Sequence, residues 1–289
     1  MSRETAGVAM ASVIVNADDF GFFDQVSRGI LEAAEAGVVS ATGIMANGPA
    51  LDRWLDRLRS VTGLSVGVHL NATLGIPLTA TMARALDWNG GRFTPKGSLV
   101  AAVLRGRIPL ETVLEEWRAQ IRHCLDRGLA LDFVNSHEHI HMLPGLYGKV
   151  LQLAQEHGVR HVRAPQPEWG PRLTGQAVLR SAVMAAARVL SHPQPTIEPV
   201  LIGVSPSGQM DLTYCRWRFP RLARNHAYEL MCHPGHHDPA AVAIPSLRHY
   251  HDWAGELQTL LSSEFSELLQ QNHLRIATYA DLRASQVFS

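Results

Sequence analysis

The feature that most constrains this chain is an alternation running from end to end. Short runs of β-branched and other apolar residues fall at 13–16, 39–46, 64–70, 131–136, 159–163, 200–204, 227–232 and 274–278. Longer segments with apolar residues at helical spacing separate them. Leu51, Trp54, Leu55 and Leu58 follow i, i+3, i+4, i+7, and Leu110, Val113, Leu114, Trp117, Ile121 and Leu125 continue such a stripe along a longer helix. Pro109 opens that helix and Gly128 follows its end, while Gly37 and Gly158 mark where two others stop. Strands alternating with helices pair in parallel through right-handed crossovers, and seven or eight such units within 289 residues suffice to close a barrel. The expectation is an α/β fold, a (β/α) barrel in one domain spanning 1–289, with an open doubly wound sheet as the alternative.

With 46% apolar and 18% charged residues the chain can bury a large core. Basic and acidic residues balance at 26 each, so the net field expected of a nucleic-acid or anionic-surface binder is missing and a small-molecule partner is expected, with a homo-oligomer left open. Cys124, Cys215 and Cys232 form no C-x-x-C pair, which fits a reducing cytoplasm and disfavours a cysteine-built zinc site. The most apolar stretch, 177–190, is interrupted by Arg180 and Arg188, so no membrane span is expected, and the first residues lack the pattern of a signal peptide. Region 72–108 lacks clear periodicity and reads as an excursion that covers a site, and the Pro-rich stretch 165–171 as a loop over one face.

Four polar clusters carry the chemistry. Asn16-Ala17-Asp18-Asp19-Phe20-Gly21 sets two adjacent carboxylates at the end of the first strand. Successive side chains diverge there, so one can bind a metal while the other serves as a base, with an N-cap or Asx-turn as the alternative. His69 ends the strand Gly67-Val68-His69-Leu70-Asn71, as a ligand or as a structural histidine. Asn135-Ser136-His137-Glu138-His139-Ile140-His141 follows another apolar run, and period-two spacing puts His137, His139 and His141 on one face if the chain stays extended. Imidazoles with a carboxylate suit zinc or another divalent transition metal. His233, in Cys232-His233-Pro234-Gly235, leaves its strand at a turn and can act as a general acid or orient a substrate. Each cluster lies at or just past the C-terminal end of a predicted parallel strand, the rim where barrels build active sites. The histidines outside these clusters, His251 among them, receive no role.

Taken in this order, these motifs, together with Ser40-Ala41-Thr42 and Asn47-Gly48, resemble the YdjC/ChbG-like carbohydrate deacetylase family, related to NodB-type polysaccharide deacetylases. Pro-Ser-Gly-Gln-Met at 206–210 also looks like the hopanoid-biosynthesis-associated HpnK branch. The resemblance covers most of the chain and implies a distorted (β/α) barrel in which Asp19, His69 and His137 bind one divalent metal, magnesium or zinc. It implies Asp18 as general base and His233 near a leaving amine, in a metal-dependent hydrolysis of an N-acetylated amino sugar, oligosaccharide or glycolipid, to acetate and a free amine. Asn135 departs from the family, whose members often carry Asp before the Ser-His pair, and this puts metal affinity in question. His139 and His141 are expected to orient ligands or contact substrate. Arg163 is a candidate for substrate hydroxyls or a charged group, with a structural ion pair as the alternative. The competing functions are a sugar-binding barrel without turnover and a metal-dependent hydrolase of another amide or a phosphoester.

Overall fold

The computed structural model describes residues 10–171, 175–191, 199–238, 242 and 245–286. Eight strands lie within or overlap the eight predicted runs: β1 (Ala11–Phe20), β2 (Ala41–Ile44), β3 (Ser65–Leu70), β4 (Phe133–Ser136), β5 (His161–Val162), β6 (Val200–Ile202), β7 (Ala227–Cys232) and β8 (Leu274–Ile276). Helices α1 (Asp24–Glu35), α2 (Leu51–Ser60), α3 (Ala80–Ala85), α4 (Lys96–Leu104), α5 (Leu110–Asp126), α6 (Tyr147–Glu156), α7 (Gly175–Ser191) and α8 (Leu212–Arg218) fill the crossovers, and α9 (Pro245–Tyr250), α10 (Trp253–Leu261), α11 (Ser263–Gln271) and α12 (Tyr279–Gln286) follow β7. The two helical stripes read from the sequence are α2 and α5, with Leu51, Leu55, Leu58, Val113, Leu114, Trp117 and Ile121 buried.

Every ladder is parallel, in the order β5-β4-β3-β2-β1-β7-β6, with β8 beside the start of β1. β8 and β2 share one side of β1, pairing at Ala11–Val13 and Asn16–Phe20 respectively. The Ser40 hydroxyl stitches them, accepting the Val15 N–H and donating to the Ala277 carbonyl at 2.7 Å.

The sheet is curled into a barrel. Four strand spacings separate β5 from β1, roughly 19 Å in a flat sheet. Yet Arg163, just past β5, reaches Asp18 of β1 at 2.6 Å, which only a closed curve permits. Closure is incomplete: among the described residues β5 and β6 share no ladder. Pro165 and Pro167 follow β5 and have no N–H to offer, so that strand cannot extend to zip the seam. A side chain bridges it instead. Glu168 accepts the N–H groups of Gly203 and Ser205, both at 3.0 Å, the Tyr214 hydroxyl at 2.6 Å and Arg218 Nε at 3.1 Å. This clasp is the distortion of the barrel, and it gives the 165–171 loop a structural duty.

The excursion 72–108 contains α3, a short 3-10 turn at Asp87–Asn89 and α4. The buried carboxylate of Glu116 on α5 holds it, accepting from Leu78 N–H, Thr79 N–H and the Thr79 hydroxyl at 2.8–2.9 Å. At its far side Lys96 lies 3.4 Å from Glu138, next to the histidine cluster.

Candidate active site and metal centre

Strand β1 runs longer than its apolar pattern suggests, because Asp18, Asp19 and Phe20 stay buried in it. Period two directs Asn16 and Asp18 to one face, the barrel interior. Asp19 belongs to the opposite face, but its φ of 73° and a register shift between Ala17 and Phe20 twist it out of the pleat. A left-handed aspartate costs about 1–2 kcal/mol, so the neighbours must over-determine it. They do: Asp19 Oδ1 lies 3.2 Å from His69 Nε2 and 3.0 Å from His137 Nδ1. One ligand atom from each of Asp19, His69 and His137 falls within 4.8 Å of the others. Burial opposes ionisation of Asp19, yet the two imidazoles hold its carboxyl well below the usual carboxylate range. Burial likewise lowers the proton affinity of His137, but the Asp19 charge outweighs it and raises the ring's pKa.

His69 and Asn135 are paired residues of the β3–β4 ladder, so they meet on the interior face. Asn135 Oδ1 lies 2.7 Å from His69 Nδ1, while its Nδ2 donates to Asp18 Oδ1 at 2.8 Å. The amide orientation is forced, since a carboxylate accepts only and the amide nitrogen must face it. The amide oxygen therefore takes the Nδ1–H of His69, leaving the Nε2 lone pair aimed at Asp19 and its partners. Gly43 of β2 makes the convergence possible. A Cβ there would meet Asn135 Oδ1, Asp18 Oδ1 and His69 Cβ, each at 3.2 Å.

Asp18 is clamped by Arg163, whose Nη1 and Nη2 donate at 2.6 and 3.1 Å. The same guanidinium donates through Nε to Glu229 Oε1 at 2.9 Å, and Asn16 Nδ2 donates to that oxygen at 2.6 Å. Burial pushes the Asp18 carboxyl up, but Arg163 and then His69 bring it down to about 2. Arg163 was expected at substrate; its side chain is wholly buried between two carboxylates, the ion-pair alternative.

The chain does not stay extended after β4. His137–Met142 forms a 3-10 turn with Glu138 and His139 in the left-handed region. The Ser136 hydroxyl closes it by accepting the His141 N–H at 3.0 Å. The three histidines therefore diverge instead of sharing a face. His137 enters the Asp19–His69 group. His141 turns back, its Nε2 at 2.8 Å from the Arg163 carbonyl and its Nδ1 at 2.5 Å from the Ser136 hydroxyl. Burial drops it to about 4, so the ring is neutral and carries its proton on Nε2 toward that carbonyl. His139 keeps a buried Nδ1 with no partner, and burial followed by the Arg163 charge pushes its pKa far down. Pro144-Gly145 then forms a turn with Gly145 at φ 82°, and α6 begins at Tyr147.

His233 leaves β7 with its N–H donated to Glu256 Oε2 at 2.5 Å and its Nδ1 4.0 Å from Glu256 Oε1. Its ring stands 4.8 Å from that of His251, which stacks on Trp253. Burial lowers His233, against the attraction of Asp19 and Asp18, and raises Glu256 to about 8. The sequence reading overlooked Glu229, Glu256 and His251. Glu229 had a visible signal: an acid at period two with Met231 and His233 in a run meant to be buried.

Known proteins bear on this arrangement. A family model described as YdjC-like protein matches residues 12–271. The chain is 30% identical over 275 residues to a chitooligosaccharide deacetylase of Klebsiella pneumoniae (strain 342), covering 93% of this chain and 98% of that one. It is 31% identical over 228 residues to a carbohydrate deacetylase of Geobacillus stearothermophilus, with coverage of 73% and 87%. A solved structure from Enterococcus faecalis V583, named for a proposed cellobiose-phosphate cleavage, superposes over 95% of this chain and 99% of its own at a TM-score of 0.70 and 23% identity, which supports the fold. With the family model spanning nearly all of the barrel, the chain belongs to the YdjC-like family.

Proposed function

We propose that this chain is a metal-dependent N-deacetylase of an N-acetylated amino sugar, releasing acetate and a free amine in the cytoplasm. The observation that carries the reading is the convergence of Asp19, His69 and His137, with Asp18 held beside them through one amide, in a chain whose relatives bear the names of carbohydrate deacetylases. The donor set fits a divalent ion: one carboxylate, and an imidazole nitrogen freed by the Asn135 contact. Two imidazoles with one carboxylate favour zinc over magnesium, which prefers oxygen ligands. When bound, such an ion supplies Lewis acidity toward an acetamide carbonyl and a coordinated water.

The chain's own residues supply the proton chemistry. Asp18 is ionised at neutral pH and held in one orientation by Arg163 and Asn135, ready to accept a proton from the attacking water. His233 donates a proton to the departing amine once its ring is charged, a state that burial opposes and the Asp19 and Asp18 charges favour, since an amide does not readily expel an unprotonated amine. Glu256 fixes His233 through its backbone N–H. His139, with its open Nδ1, contacts substrate; His141 and Arg163, whose polar atoms bond within the protein, position Ser136 and Asp18.

Acetate release from N-acetylglucosamine oligomers by chelator-treated protein, with zinc or magnesium added back, tests the reading. Release that returns with metal and disappears in Asp18→Asn, while that variant still binds metal, is expected. Silence across the panel with metal bound would sink the deacetylase and leave a sugar-binding barrel.

A further inference from the structure

The Pro-Ser-Gly-Gln-Met turn at 206–210, just past β6, is sewn to the join between α9 and α10. Asp252 N–H donates to the Gly208 carbonyl at 2.7 Å, and the Tyr250 hydroxyl donates to Ser207 Oγ at 3.1 Å. Gly208, at φ 82°, lets the two segments close, since a Cβ there would come within 2.8 Å of the Tyr250 carbonyl oxygen and 2.9 Å of its ring. Beside this junction lies a cavity of about 310 Å³, near the lower end of the roughly 300–1,000 Å³ of small-molecule sites. His251 and Trp253 give it an aromatic wall, their rings 5.1 Å apart and 11° from parallel. Gln209, Asp238, Arg248 and Asp252 give it an exposed polar rim. Two polar atoms of the wall residues, His251 Nδ1 and Trp253 Nε1, are buried with no hydrogen-bond partner among the described residues. Such atoms are rare in a settled core and call for a partner from outside the chain.

On the deacetylase reading, the acetamide carbonyl faces Asp19, His69 and His137, and its nitrogen faces His233. The sugar is bonded to that nitrogen, so the rest of the substrate extends on the His233 side. There the His251 ring stands 4.8 Å from that of His233 and forms the inner wall of the cavity. Resting on that reading, we propose that the cavity is the subsite for the sugar ring next to the one that bears the acetamide, with Gln209 and Asp252 selecting its hydroxyls. The lining favours a neutral sugar. Arg248 and Gln209 offer donors, and Asp238 and Asp252 offer acceptors, which matches hydroxyls that both donate and accept. The same two carboxylates repel a phosphate or carboxylate ligand. An aromatic wall with a few placed polar groups is the usual lining of a small-molecule site, and its ring faces attract the weakly positive C–H groups of a pyranose.

Calorimetric titration of the metal-loaded, full-length Asp18→Asn protein reads occupancy without turnover. N,N′-diacetylchitobiose is expected to bind at least tenfold tighter than N-acetylglucosamine. Gln209→Ala combined with Asp252→Asn should cut that preference at least fivefold. Both side chains are exposed and asparagine still caps α10, so the melting temperature should stay at that of the parent protein. With Asp18 intact, the same pair should lower the dimer-to-monomer ratio of kcat/KM by the same factor, through KM. Equal affinity for dimer and monomer, or a preference that the double variant retains, overturns the proposal. So does inorganic phosphate that displaces the dimer from wild-type protein but not from Arg248→Ala, which would make the cavity an anion site. Protein that prefers the dimer through Gln209 and Asp252 yet releases no acetate would refute the deacetylase reading alone.

Discussion

Replacing Arg163 by methionine isolates the buried charge network. The guanidinium lies between Asp18 and Glu229, with all three side chains at most 2% exposed. Removing it strands two carboxylates, and breaking a buried pair in this way costs about 3–5 kcal/mol. For a chain of this size that lowers the melting temperature by about 10 °C. The pH dependence gives a sharper readout. In the wild type Asp18 stands at about 2 against an ordinary 3.8, so the folded state binds fewer protons than the unfolded between those values. The stabilisation, about 2.5 kcal/mol, is present above about pH 4 and disappears as pH falls through 2. Without Arg163, burial dominates and lifts the Asp18 carboxyl above its unfolded value. The folded variant then holds the extra proton, and stability declines as pH rises through the range from about 4 to 7. Measured by thermal unfolding with chelator present, the deficit of Arg163→Met relative to wild type should widen from pH 4.5 to pH 7.5. Taking the difference cancels the other titrating groups. A deficit under 2 °C at both pH values, or one that narrows as pH rises, would refute the reasoning.

Other expectations follow from single contacts. Asn135→Ala removes the partner of His69 Nδ1 and should weaken metal binding by about 10–100-fold in calorimetric titration. His137→Ala should abolish stoichiometric metal content by elemental analysis while His139→Ala retains it; the reverse would mean that the wrong histidine has been assigned as ligand. Glu168→Ala removes an acceptor from the Ser205 N–H and the Tyr214 hydroxyl and one of the two acceptors of the Gly203 N–H, at about 1–3 kcal/mol for each buried donor left unsatisfied. Its urea midpoint should fall well below that of the wild type, with metal content unchanged.

The fold was legible because parallel strands buried on both faces write themselves as apolar runs, and each of the eight runs contains or overlaps a strand. The sequence understated β1, since Asp18 and Asp19 look like loop residues until Arg163, His69 and His137 are known to meet their charges. Positions at the strand ends were visible; directions were not. Alternation placed His141 beside His137, but the Ser136 hydroxyl closes a turn that no period-two pattern encodes. Arg163 looked like a substrate contact because its two acidic partners lie 145 and 66 residues away in the chain. Asn135 was singled out as a departure, and the structure gives it a task at both ends of one amide.

The seam between β5 and β6 has a consequence for how such a barrel can diversify. Asp19, His69 and His137 come from β1, β3 and the turn after β4, on the continuously laddered side, whereas the loops at the seam are joined by the Glu168 carboxylate. Insertions or new side chains there need only preserve one clasp, and they leave the donor geometry untouched. The Asp19, His69 and His137 donors thus sit on a rigid half and the seam loops on a negotiable one, so descendants of one scaffold can exchange substrates without rebuilding that donor group.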